Sequence, residues 1–326
     1  MGLTKRERLE ATFAGQDVDR PAVALWRHWP GDDQRAADLA RAHIEFQRLY
    51  DFDFIKVTPS SGFSVDDWGV PERYLGNTEG TCEHGQLVIR QPKDWLDLPV
   101  LDPRQGSLGR QLRCLELIAG EMGTQVPFIQ TIFNPLSVAK YLAGEDILRV
   151  HLRRYPQAVH KALETITASI VLFVQQVMHT GAAGIFFAVQ HAQFSVLSEV
   201  EYRSFGQPYD LQVLEAARSA WFNLLHLHGS EVMFDQLSDY PVQAINWHDR
   251  ETPPNLAQAL TQTKRALCGG LRQWETMVRG TPQDVLDEAQ NAISTTSGRR
   301  LILGTGCVTP IVAPTSNLRA ARQAAG

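Results

Sequence analysis

Four cysteines in 326 residues, at positions 82, 114, 268 and 307, are too few and too scattered for a disulfide framework. A basic excess is missing too. The 31 Lys and Arg stand against 36 Asp and Glu, a formal net charge of −5, which offers no electrostatic footprint for nucleic acid. No window approaches the ~20 apolar residues of a membrane span. The N-terminal stretch is charged from Lys5 onward and lacks a signal peptide's apolar region. No repeat, low-complexity tract or linker divides residues 1–326, and no glycine-rich phosphate loop follows the first apolar run. These absences predict a cytoplasmic, single-domain protein with a small-molecule substrate and neither nucleic-acid nor membrane partners. At 44% hydrophobic and 21% charged residues, the composition is that of an ordinary folded chain rather than a disordered one.

What is present is alternation. Thr4 with Glu7 reads as a capping box opening a helix that Gly15 closes. Eight short apolar runs follow, at 22–26, 52–57, 126–133, 184–189, 222–228, 242–247, 265–271 and 301–306. Each is bounded by Gly, Pro or polar residues, as buried strands are. Helical periodicity occupies 33–50, 197–220, 254–264, 282–295 and 315–325. Strands alternating with helices imply parallel pairing through right-handed crossovers, and eight such units make a closed (β/α)8 TIM barrel. Residues 60–125, with a strand-like piece at 86–90, read as an insertion after the second strand, placed to act as a lid.

In such barrels the chemistry sits at the C-terminal strand ends. The fifth run places His226 and His228 on one face, two residues apart. Cys307 follows the eighth. Together they make three metal ligands with an open fourth position, as in a catalytic zinc site. The same residues also read as a polar rim with one small inert thiol. Cys268 and His248 either complete the ligand set or line the pocket. The other strand ends are polar as well: Arg27 and His28, Lys56 and Thr58, Gln130 and Thr131, Gln190 and His191, then Asn246, His248 and Asp249. Such convergence predicts a polar pocket. Arg27 and Lys56 either bind a substrate carboxylate or pair with Asp249, and His191 or His248 is suited to shuttle a proton. Tyr141 either points into the mouth or packs. Cys82-Glu83-His84 reads as a hairpin loop, and Cys114 as helix core.

Three stretches together resemble the uroporphyrinogen decarboxylase superfamily. They are Lys5-Arg6-Glu7-Arg8 through Asp19-Arg20-Pro21, then Pro127-Phe128-Ile129-Gln130 through Pro135 to Gly144, then Leu303-Gly304-Thr305-Gly306-Cys307 through Pro310 to Asn317-Leu318. The resemblance implies a (β/α)8 barrel, often dimeric, with its cleft at the strand C-termini. True decarboxylases of this group need no cofactor. They bind a tetrapyrrole through paired arginines near the first strand and an aspartate ending the second. Here only Arg27 remains, and the aspartate position reads Thr58, a neutral hydroxyl that cannot stabilise a cationic intermediate. Tyr141 falls where the decarboxylases carry a tyrosine.

A second branch holds zinc methyltransferases that pass a methyl group from a corrinoid protein to a thiol, with a His-x-Cys pair and a later Cys as ligands. His226 and Cys307 match that pattern, Cys307 one residue closer to Pro310, and His228 replaces the middle Cys. Two neutral imidazoles and one thiolate leave zinc positively charged, a stronger Lewis acid than the neutral set. The resemblance thus implies a zinc-dependent methyltransferase using a corrinoid or small thiol. A cofactor-free tetrapyrrole decarboxylase and a non-catalytic corrinoid or tetrapyrrole binder are the alternatives.

Overall fold

The computed structural model describes residues 2–326. Thr4 and Glu7 do form the reciprocal cap of helix Lys5–Ala14, and Gly15 ends it at φ 67°. Eight strands follow: β1 Ala22–Val23, β2 Ile55–Val57, β3 Phe128–Phe133, β4 Gly184–Val189, β5 Leu224–Leu227, β6 Ala244–Asn246, β7 Ala266–Leu271 and β8 Leu301–Thr305. Their spatial order is β1-β8-β7-β6-β5-β4-β3-β2, and every neighbouring pair is parallel. The result is the α/β barrel that the alternation predicts.

The seam between β1 and β2 has no strand ladder. A carboxylate closes it instead. Asp53 donates its N–H to Val23 O at 2.9 Å, while its Oδ2 accepts Val23 N–H at 2.8 Å. The same fully buried carboxylate binds Arg8 Nη1 at 2.8 Å and Arg20 Nη1 and Nη2 at 2.8 and 3.0 Å. Arg8 also grips Asp19, whose carboxyl it holds down at about 2, against an ordinary 3.8. A carboxyl depressed on folding stabilises the fold above its unfolded pKa and loses that contribution as pH falls through the folded one. Acid titration followed by circular dichroism should therefore show stability falling between about pH 4 and 2, and Asp19→Asn should flatten that slope. An unchanged slope would remove Asp19 from the acid response.

Aromatic rings fill the barrel axis. Phe54 meets Phe222 edge-on at 4.8 Å, Trp26 meets Phe186 at 5.4 Å, and Phe186 stacks on His226 at 5.2 Å. The interior is packed from its floor to the level of the first histidine, as such barrels are.

Several expectations need correction. Residues 60–125 are not all insertion: Gly106–Met122 is a regular crossover helix packed on Ala36–Tyr50. Piece 86–90 forms no strand, because the N–H groups of Val88 and Ile89 both turn to Leu142 O, at 3.2 and 3.1 Å. Glu83–His84 does pair, antiparallel, with Glu72–Arg73. Helix 197–220 is two helices, Glu199–Phe205 and Gln207–Ala216. They meet at Gly206, where a Cβ would come within 2.6 Å of the Tyr202 ring. Helix Pro156–His179 is long and apolar enough to be weighed as a membrane span, which the sequence reading did not anticipate. Half of its apolar window is buried against the barrel's other helices.

Between the β2 end and Gly106 the chain crosses the barrel mouth. Ile311 N–H donates to Thr78 O at 2.9 Å, and Glu79 Oε1 accepts from Gln273 Nε2 at 2.9 Å and Trp274 Nε1 at 3.3 Å. Gly80, at φ 86°, presses on His28: a Cβ there would lie 2.7 Å from His28 Cβ and 2.9 Å from Ile311 Cγ2. Only glycine fits this crossing in that backbone conformation. Residues 77–81 thus form a roof strap.

Candidate metal centre and substrate cavity

At the C-terminal end of the barrel, His226, His228 and Cys307 converge. Their ligating atoms all lie within 4.8 Å of one another. Cys307 Sγ is 3.7 Å from His228 Nδ1. Tetrahedral zinc with ordinary Zn–N and Zn–S bonds needs ligand separations of about 3.3–3.6 Å, so the Cys307–His228 pair is already near that spacing and the set as a whole must draw together to hold such an ion.

The arrangement also settles which His226 nitrogen is free. Asn246 spends its amide N–H groups on Cys268 O at 2.9 Å and Thr305 O at 3.0 Å. Its Oδ1, 2.7 Å from His226 Nδ1, is therefore the acceptor. Nδ1 carries the proton, and Nε2 keeps its lone pair for a ligand, the outer contact that metal-binding histidines use. Burial drives both imidazoles toward the neutral form, His228 down to about 4 and His226 well below its ordinary value. Neutral rings are what a metal requires. Burial pushes the Cys307 thiol up to about 11 in the same cavity. Asn246→Leu should weaken metal affinity about ten- to hundredfold with the fold retained, measured by competition with a chelating dye. Unchanged affinity would mean that stacking on Phe186 alone orients the ring.

The cavity beside these residues encloses about 100 Å³. Of the residues expected from the sequence, His28, Lys56, Thr58, Thr131, Tyr141 and Gln190 line it with His226, His228 and Cys307. Lys56 is buried, donates to Thr58 Oγ1 at 3.2 Å, and is brought down to about 7 by that burial. Tyr141 is pushed up to about 12 by burial, so its hydroxyl remains a donor.

Others lie outside. Gln130 points to the helical layer, where its Oε1 accepts from Gln111 Nε2 at 2.8 Å and its own amide binds Thr131 O. The inward residues of that strand are Thr131 and Phe133. Arg27 stacks on Trp29, 4.5 Å from the ring centre. Among the described residues neither Arg27 nor Lys56 pairs with Asp249, whose carboxylate accepts Gly270 N–H at 2.9 Å. His191 is buried behind Gln190, with Nδ1 unpartnered. His248 flanks the site, its ring 6.2 Å from His228 and its Nδ1 3.4 Å from Glu251. Cys268 is fully buried, and its backbone carbonyl holds Asn246. The sequence reading missed Ser61, Glu79 and Thr81, which reach the cavity from the β2 loop and the roof.

Residues 4–326 match the profile described as uroporphyrinogen decarboxylase (URO-D). The chain belongs to the uroporphyrinogen decarboxylase family. Within this family, the methylcobamide:CoM methyltransferase MtbA of Methanosarcina acetivorans is 21% identical over 336 residues, covering 97% of this chain and 96% of that one. A solved methyltransferase from Methanosarcina mazei superposes with a TM-score of 0.87 at 17% identity, over 99% of this chain and 98% of that one. A B12-independent methionine synthase from Shewanella sp. W3-18-1 gives a TM-score of 0.58 at 14% identity, over 93% and 91%. At such identities the structural likenesses show the fold. They add no residue roles to this member of the uroporphyrinogen decarboxylase family.

Proposed function

We propose that this chain is a zinc-dependent methyltransferase that moves a methyl group between a corrinoid and a small thiol. The observation that carries the reading is the convergence of His226, His228 and Cys307 on one cavity, with Asn246 fixing the His226 tautomer. Its support from the comparisons is the relative named as a methylcobamide:CoM methyltransferase. When bound, zinc would supply a Lewis-acidic centre that lowers the pKa of a thiol or water beside it.

The chain's own residues do the rest. Trp26, Phe133, Tyr141 and Phe186 keep the cavity apolar and exclude water around the reacting group. Lys56 and Thr58 orient the substrate from the β2 end. His248, which flanks the cavity with its Nδ1 3.4 Å from Glu251, would take the proton that a thiol gives up on binding. The cavity's volume of about 100 Å³ suits a small thiol and not a tetrapyrrole.

The test is metal analysis of untagged protein by mass spectrometry, with a methyl-transfer assay from methylcobalamin to CoM and other small thiols. About one equivalent of zinc and chelator-sensitive transfer are expected. A folded, metal-free protein that releases carbon dioxide from uroporphyrinogen would overturn the reading in favour of decarboxylation. Tight corrinoid binding without turnover would favour a binding protein.

A further inference from the structure

Two side chains able to carry opposite charges, Lys56 and Glu79, reach the cavity that Cys307 lines, and they do not pair with one another. Lys56 Nζ, buried beneath the roof, has Thr58 Oγ1 as its hydrogen-bond partner and lies 4.6 Å over the Phe186 ring. Among the described residues no carboxylate pairs with it, although the Cys307 thiol feels its charge. Glu79 comes down from the roof strap and acts on the same thiol with the opposite sign. Its Oε1 is committed to Gln273 and Trp274, and Oε2 receives no hydrogen bond from the described residues. A third polar atom, Gln190 Oε1, is buried with no partner within hydrogen-bond distance, its amide group lying beside the Tyr141 hydroxyl.

Buried polar groups are ordinarily paired, and Lys56 and Gln190 Oε1 are buried, whereas Glu79 is half-exposed and leaves its Oε2 open to a ligand. An anionic ligand would satisfy Lys56 but bring more negative charge toward the Glu79 carboxylate and the Gln190 oxygen. A cationic ligand would do the reverse. Only a ligand carrying both an anionic group and N–H donors answers all three atoms. The aromatic walls, Phe133 and Tyr141 among them, add favourable faces for an ammonium group.

We propose that the small molecule taken by this cavity is a zwitterionic thiol of the amino-acid type, with its carboxylate on Lys56 and its ammonium on Glu79 and Gln190. The position of the sulfur rests on the metal and thiol reading above. The pairing of charges does not. An amino acid of homocysteine's size matches the enclosed space of about 100 Å³.

Titration calorimetry on the intact, metal-containing protein tests this with four probes: L-homocysteine, 3-mercaptopropionate, cysteamine and L-2-aminobutyrate. L-homocysteine should bind at least tenfold more tightly than either thiol that carries one charge. Lys56→Met should reduce it to the level of cysteamine, and Glu79→Gln to that of 3-mercaptopropionate. Equal or tighter binding of 3-mercaptopropionate or cysteamine to the unsubstituted protein overturns the proposal, whether or not the variants fold. So does the absence of binding by every probe. L-2-aminobutyrate, which lacks the thiol, separates the two claims. If it binds as tightly as L-homocysteine, the metal and thiol reading falls and the charge pairing is supported.

Discussion

His226→Ala is expected to leave the protein folded and to abolish metal binding at the proposed three-residue centre. The substitution removes a ligand whose free nitrogen is defined by a hydrogen bond, since Asn246 Oδ1 holds Nδ1–H at 2.7 Å and leaves Nε2 for the ion. His228 and Cys307 alone supply two ligands, fewer than the three that catalytic zinc sites use. The loss should exceed the ten- to hundredfold that removal of an outer-shell partner costs. Metal content should fall from about one equivalent to background, and methyl transfer should fall with it. Circular dichroism would confirm the fold, because the Phe186 ring and the rest of the aromatic column remain. Full metal occupancy in the variant would sink the three-ligand site.

Asp53→Ala should have the largest effect on stability. The carboxylate is completely buried, faces two guanidinium groups, and replaces the missing ladder between β1 and β2 by accepting Val23 N–H. Removing it leaves Arg8, itself buried, and Arg20 without their shared partner at the barrel floor. Breaking such a buried pair costs about 3–5 kcal/mol, a large share of the roughly 5–15 kcal/mol that holds a typical domain folded. Urea unfolding should show the midpoint collapsing toward native conditions. A loss under about 1 kcal/mol, the ceiling for an exposed pair, would mean that the barrel closes without this carboxylate.

The barrel was legible because its signals are local. Each strand is a short apolar run with punctuation, and the cap at Thr4 and Glu7 is a four-residue pattern whose geometry follows from the side chains. The pair His226 and His228 was legible for the same reason, since a strand's two-residue period puts both on one face. Strand ends read from sequence carry no parity unless the first inward residue is known. Gln130 and Thr131 were therefore both read as pocket residues, although only Thr131 faces in. Arg27 and His191 likewise stand outside the cavity lining, each adjacent to a residue within it. Glu79 gave no signal at all. It sits in irregular chain between Gly76 and Gly80, and only the folded strap, tied to Gln273 and Ile311 from the last quarter of the sequence, brings it over the mouth.

The aromatic column has a consequence for traffic. With Phe54, Phe222, Trp26 and Phe186 plugging the axis, the barrel is a blind alley: nothing that enters from the mouth can leave through the floor. Two reactants that meet here share one doorway, already narrowed by the strap at Gly80. In the proposed methyl transfer the deeper reactant would have to arrive first and depart last, a compulsory order set by architecture and not by relative affinity.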